Sequence, residues 1–134
     1  MKEEQKIRGL IAGDEAHIRL LLRQIVEQMG ATVVAEAVNG QQAVELFERH
    51  RPQIVLMDVV MPVLSGKEAI KRIMSIERHA FIIVLSALNS MDVVEECLAM
   101  GAANHIRKDN PVARMRRYIQ ETWQEFLRAG CPCA

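Results

Sequence analysis

The chain has 134 residues, half of them hydrophobic and a quarter charged, enough for one globular domain with a single sizeable core. Seventeen basic residues balance seventeen acidic ones, so no overall charge draws the chain toward nucleic acid or an anionic membrane. Met1 to Lys6 is polar and unlike a signal peptide, and no apolar run nears the roughly 20 residues of a membrane span; the expected location is cytoplasmic. Three cysteines, Cys97, Cys131 and Cys133, argue against a disulfide framework, and Cys131-Pro132-Cys133 reads as an ordinary tail rather than a metal or redox site.

In chain order, apolar runs alternate with helical stripes. Leu10-Ile11-Ala12 predicts a first strand, leading into Asp14-Glu15. Ile18, Leu21, Leu22, Ile25, Val26 and Met29 then recur at the spacing of an amphipathic helix, which Gly30 stops. Val33 to Val38 is a second strand, and Glu36 places it near the sheet edge. Asn39-Gly40 marks a turn before a helix carried by Ala43, Val44 and Phe47. Pro52 precedes the third strand, Ile54 to Met57, which ends on Asp58. After Met61-Pro62 and Gly66, a third helix runs on Ala69, Ile70, Ile73 and Met74.

Phe81 to Leu85 is the fourth strand and leads to Ser86. Val94, Cys97 and Leu98 mark the fourth helix, stopped by Gly101, and Asn104 to Arg107 is a short fifth strand before Lys108. Pro111 opens the last helix, with Met115, Tyr118, Ile119, Thr122, Trp123 and Phe126 on one stripe. The first, third and fourth strands lack alternation, as expected when helices cover both faces of a parallel sheet. Five β-α units predict an α/β, doubly wound parallel sheet with right-handed crossovers.

Ligands of such sheets bind outside the carboxyl ends of the strands. Asp14, Asp58, Ser86 and Lys108 all stand at such ends. Carboxylates, a hydroxyl and an ammonium in one place suit phosphoryl chemistry with a divalent metal. Blander readings stand beside this one. Asp14 alone reads equally well as a helix N-cap. His17, His50 and His79 have no metal-ligand spacing and read as surface residues, and Met115, Tyr118 and Trp123 read as core or partial core. Arg114, Arg116 and Arg117 read as a solvated face.

Gly13-Asp14-Glu15, Leu56-Met57-Asp58-Val59-Val60-Met61-Pro62, Leu85-Ser86-Ala87 and Gly101-Ala102-Ala103 through Lys108 resemble the response-regulator receiver domain. The resemblance runs from about Ile7 to about Leu127, leaving 1–6 as a polar extension and 129–134 as a tail around a receiver at 7–128. It implies the flavodoxin-like strand order 2-1-3-4-5 with five helices, the order of chemotaxis regulators. It implies Asp58 as the phosphoacceptor, and Mg²⁺ bound by Asp14, Asp58 and the Val60 backbone carbonyl. It implies Lys108 and Ser86 on the phosphoryl oxygens, with Ala87 small beside them and His105 at the switch position.

Three positions depart from the family pattern. Gly13 stands where an acid is usual, Asp109 follows Lys108 where a proline is usual, and His105 replaces an aromatic. A cis bond before a non-proline costs about 3 kcal/mol, so the Lys108-Asp109 step is expected to be trans. The implied function is a phosphorylation switch rather than a turnover enzyme. Its partners would be a sensor histidine kinase or phosphotransfer protein and a downstream target protein, reached through helix four, strand five and helix five. Direct nucleic-acid binding and membrane insertion are not expected, and a weak homodimer is left open. With the chain ending about a turn beyond the last helix, the receiver is expected to act alone or to be a fragment of a longer regulator. The alternative is a pseudo-receiver that binds partners without being phosphorylated. A small aspartate-nucleophile phosphatase fits less well, because Val60 stands where such enzymes carry a second Asp, and a flavin carrier would need a phosphate-cradling loop that is not seen.

Overall fold

The computed structural model describes residues 7–87 and 91–129. Ten elements alternate strictly. They are β1 (Arg8–Ala12), α1 (Ala16–Gln28), β2 (Thr32–Ala37), α2 (Gly40–His50), β3 (Ile54–Asp58), α3 (Gly66–Ile76), β4 (Ile82–Ser86), α4 (Met91–Ala99), β5 (Asn104–Arg107) and α5 (Val112–Arg128). The strands form one parallel sheet in the order β2-β1-β3-β4-β5, with five helices, as the resemblance implied. Predicted and observed ends differ by a residue or two. The second strand starts at Thr32 and stops at Ala37, and Phe81 lies just ahead of β4.

Burial explains the missing alternation. Every residue of β3 and β4 is buried, because helices cover both sheet faces. On one face Leu10, Val55, Met57, Ile82 and Val84 pack with Phe47 of α2, Ile70 and Ile73 of α3 and Val94 and Cys97 of α4. On the other, Ile11, Ile54, Leu56, Ile83 and Leu85 pack with Leu22, Ile25 and Val26 of α1 and Met115 and Ile119 of α5. Fully burying one such side chain stabilises the fold by about 1.5–3 kcal/mol. β2 is an edge strand, and its Glu36 reaches Arg23 at 2.6 Å and Arg19 at 3.3 Å, which suits the edge position that the carboxylate suggested.

Local chemistry sets the helix starts. Asn39 caps α2 by accepting from the Gln42 N–H at 2.8 Å, while the Gln42 side chain accepts from the Val38 N–H at 2.9 Å. Ser65 caps α3 by accepting from the Glu68 N–H. Gly66 then lets α3 begin hard against the end of β3. A Cβ there would strike the Asp58 carbonyl and come within 2.9 Å of the Val59 Cα. The stripe on α5 is less regular than its spacing suggested. Met115 and Ile119 are buried and Trp123 and Phe126 are partly so, but Tyr118 lies at the rim of the stripe and is exposed.

Val63 lies between β3 and α3 with φ of 68°, in the left-handed region that a β-branched side chain disfavours. Its side chain is exposed and stabilises nothing by burial. Val63→Asn keeps a Cβ but tolerates this backbone, and is expected to raise stability by about 1 kcal/mol. A higher urea midpoint at unchanged m-value is the outcome to look for; an equal or lower midpoint would show the turn relaxes freely around valine.

Candidate functional site

Four segments meet at the carboxyl end of the sheet. β3 delivers Asp58, and the Val59 N–H donates to the Leu85 carbonyl, joining the ends of β3 and β4. The Lys108 N–H donates to the Ser86 carbonyl at 2.9 Å, which fixes the residue after β5 beside the end of β4. The Gly13 N–H donates to the Ala37 carbonyl, and the Gly13 carbonyl accepts from Arg19 at 2.8 Å, so the β1–α1 turn is pinned from both sides.

Asp58 is the centre. Its side chain is only 3% exposed, and one carboxylate oxygen accepts from the Lys108 ammonium at 2.8 Å. The other accepts from the Val60 N–H at 3.3 Å. Burial pushes the Asp58 carboxyl above its ordinary range; Lys108 and the Val60 N–H pull it back, and Glu15 pushes the same way as burial. For Lys108, burial alone would lower the ammonium, but Asp58 and Glu15 together outweigh it and the net direction is up. Both values are raised, which favours the charged lysine but disfavours the charged carboxylate. The asymmetry follows from position, since the Lys108 side chain keeps 22% of its surface while that of Asp58 keeps 3%.

Asp14, Glu15 and Asp58 each place a carboxylate oxygen within 4.8 Å of the other two. Three hard oxygen donors so close fit a divalent cation such as Mg²⁺. The carboxylates outnumber the single ammonium by two formal charges, the charge that one such ion balances. Ser86 Oγ is buried without a hydrogen-bond partner beside the Lys108 backbone, so this site has an unused donor as well.

Most of the residues singled out in the sequence therefore converge. Asp14 is not the helix cap, because the N-cap of α1 is Glu15, and even there the side chain makes no capping bond. Val60 lends its N–H to Asp58, while its own side chain is 64% exposed. Ala87 is exposed at the end of β4. His105 lies part-buried on β5, one residue from Asn104, which ties β5 to Thr122 of α5 at 2.8 Å. Among the described residues no peptide bond is cis, so the Lys108-Asp109 step is trans as expected, and Asp109 pairs with Arg107 away from Asp58. The residue that sequence reasoning passed over is Glu15. It was visible beside Asp14, but only the fold shows its carboxylate turned from the helix to Lys108, at 3.1 Å. Cys131 and Cys133 lie outside the described residues, and no described helix is long and apolar enough to cross a membrane.

A doubly wound sheet with a buried carboxylate, a lysine and an unpartnered hydroxyl at adjacent strand ends defines a receiver-type signalling module. The chain belongs to the response regulator receiver domain family, which it matches over residues 10–120. It is 43% identical over 101 residues to chemotaxis protein CheY of Thermotoga maritima, covering 75% of this chain and 84% of that one. It is 38% identical over 115 residues to CheY of Bacillus subtilis, covering 86% and 96%. In three dimensions it is similar to a chain of the CheX-CheY-BeF3-Mg²⁺ complex of Borrelia burgdorferi, with a TM-score of 0.81, 28% identity, and coverage of 87% and 89%.

Two outcomes follow. Because the folded-state value of Asp58 is raised, the folded protein holds a proton where the unfolded chain has released it. That contribution to stability is complete below the ordinary carboxylate range and is lost as pH rises through the raised value. Asp58→Asn, which cannot ionise, should escape this loss and be the more stable protein in EDTA at neutral pH; melting curves across pH that coincide with wild type would refute it. Gly13→Asp is sterically open, since a Cβ there meets Asp58 at no less than 3.6 Å. It should tighten Mg²⁺ binding by roughly tenfold while lowering metal-free stability, both read by calorimetry.

Proposed function

We propose that this chain is a phosphorylation-controlled switch whose phosphoacceptor is Asp58, within a receiver unit spanning residues 7–128. The observation that carries the reading is the near-complete burial of Asp58 against Lys108, with the unpartnered Ser86 hydroxyl at the next strand end. A carboxylate oxygen of Asp58 attacks the phosphorus of a phosphohistidine on a partner kinase or phosphotransfer protein. The new O–P bond forms as the P–N bond breaks, and the histidine nitrogen leaves with the electron pair and takes up a proton. Lys108 and the Ser86 hydroxyl then face the phosphoryl oxygens, one as a charge and the other as a donor that now gains its partner.

Asp14, Asp58 and the Val60 backbone carbonyl would hold Mg²⁺, which supplies charge neutralisation at the phosphoryl oxygens when bound. The similar Borrelia assembly combines a CheY with BeF3, Mg²⁺ and a second protein, CheX, and it supports the same reading here. The signal would leave through α4, β5 and α5. That face exposes apolar side chains at Met91, Leu98, Val112 and Tyr118, and its edge strand β5 carries His105. Drawing Lys108 and Ser86 toward a phosphoryl group pulls on the ends of β5 and β4, which biases that face between two arrangements. No turnover of a small substrate is needed for this role, and a cytoplasmic location suits it.

Incubation with Mg²⁺ and acetyl phosphate, followed by intact mass, tests the proposal. One phosphoryl adduct is expected on the wild-type chain and none on Asp58→Asn. An unmodified wild-type chain, under conditions that load a receiver with a full acidic pair, would favour the pseudo-receiver reading that Gly13 invites. Lys108→Ala should still accept the group but lose at least tenfold in the coupling of phosphorylation to the α4-β5-α5 face, read as amide shifts there. Identical shifts in wild type and variant would remove Lys108 from the switch.

A further inference from the structure

The acid of the β1–α1 turn that sequence patterns would not single out, Glu15, joins Asp14 in the site and alone of the two pairs with Lys108 among the described residues. Glu15 stands at the N-cap of α1, yet its carboxylate makes no capping bond. It is turned toward Lys108, whose ammonium it shares with Asp58 at 3.1 Å against 2.8 Å. Its oxygen is also within 4.8 Å of oxygens from both Asp14 and Asp58. Gly13 adds no side chain, so the turn's negative charge comes from Asp14 and Glu15 alone. The buried, unpartnered Ser86 hydroxyl at the neighbouring strand end is a second and independent sign that the site is built for something further.

We propose that Glu15 is a ligand of the divalent cation, directly or through one of its waters, and that it takes up this role by giving up Lys108. In the metal-free protein the ammonium is the counter-charge for both Glu15 and Asp58. A divalent ion at the three carboxylates supplies that counter-charge to Glu15 instead, and Lys108 is left to Asp58 and whatever Asp58 carries. Cation binding is thereby linked to readiness of the lysine. The inference rests on the reading of Asp58 as a cation-assisted phosphoacceptor, and it adds a residue and a coupling to that reading.

The test uses the full chain with Mg²⁺ alone, in wild type and Glu15→Gln. Nearly half of the Glu15 side chain is solvent-exposed, so the isosteric change leaves folding intact. Calorimetry should show Glu15→Gln binding Mg²⁺ about tenfold more weakly. The loss should persist in 1 M KCl, where screening over about 3 Å removes the effect of a charge that acts only from a distance. In parallel, the Lys108 ammonium nitrogen resonance should move when wild type is saturated with Mg²⁺. It should already be displaced in metal-free Glu15→Gln. Equal affinities, a loss abolished by salt, or a wild-type Lys108 resonance that ignores Mg²⁺ would each overturn the proposal. If wild type binds Mg²⁺ and takes phosphate from acetyl phosphate while Glu15→Gln binds equally well, only the role of Glu15 falls. If wild type binds no Mg²⁺ even at millimolar levels, the cation-assisted reading falls with it.

Discussion

A carboxylate at the end of the central strand has been taken out of water, and the rest of the site answers to that fact. An isolated buried carboxylate is costly enough that it would simply hold a proton. Here it is kept usable by one ammonium, Lys108, and one backbone donor, Val60. The compensation is incomplete, since Asp58 still sits above its ordinary range. A carboxylate poorly matched to its surroundings gains from any cation or covalent partner that alters its charge. Incomplete compensation is thus what makes the site responsive.

The sheet makes that arrangement rigid at little cost. Asp58, Ser86 and Lys108 come from adjacent strand ends, and the backbone bonds from Val59 to Leu85 and from Lys108 to Ser86 fix their spacing before any side chain is considered. Gly66 completes the frame by bringing the start of α3 against the carbonyl of Asp58, closer than any side chain would allow. Between these two anchors the chain takes the left-handed turn at Val63. The left-handed turn at Val63 and the desolvated carboxylate of Asp58 thus lie within a few residues of each other. Strain at such a place is held only because the buried β3 and the capped α3 determine both of its ends.

The residues that could be read from the sequence share one property: their meaning depends on the strand they terminate. Asp58 and Ser86 follow apolar runs whose burial is evident from composition, and Lys108 follows the short strand Asn104–Arg107, so their convergence could be inferred. Glu36 marked an edge because a carboxylate partway along a strand is most easily solvated where the strand has an open side. Glu15 had no such signal. It lies on an exposed turn next to another acid, and its role depends on which way a flexible side chain points. Val63 was hidden for the opposite reason, since valine is among the last residues expected at positive φ. Tyr118 fell on the predicted stripe, but α5 leans on the sheet by a narrow seam around Met115 and Ile119, so a residue one step off it is left in solvent.

The opposite end of the sheet shows what the site does without. There Phe81, just ahead of β4, packs edge-on against Trp123 at 5.0 Å and tilted against Phe126 at 4.8 Å. These rings and Leu127 form one wall of a cavity of about 410 Å³, with Phe47 on the other side. Aromatic packing here fastens the last turns of α5 to the sheet, although Arg51, Glu77 and His79 also line the cavity. The start of α5 lies toward the Lys108 end, where Met115 and Ile119 are buried in the core, so both halves of the helix are held to the sheet.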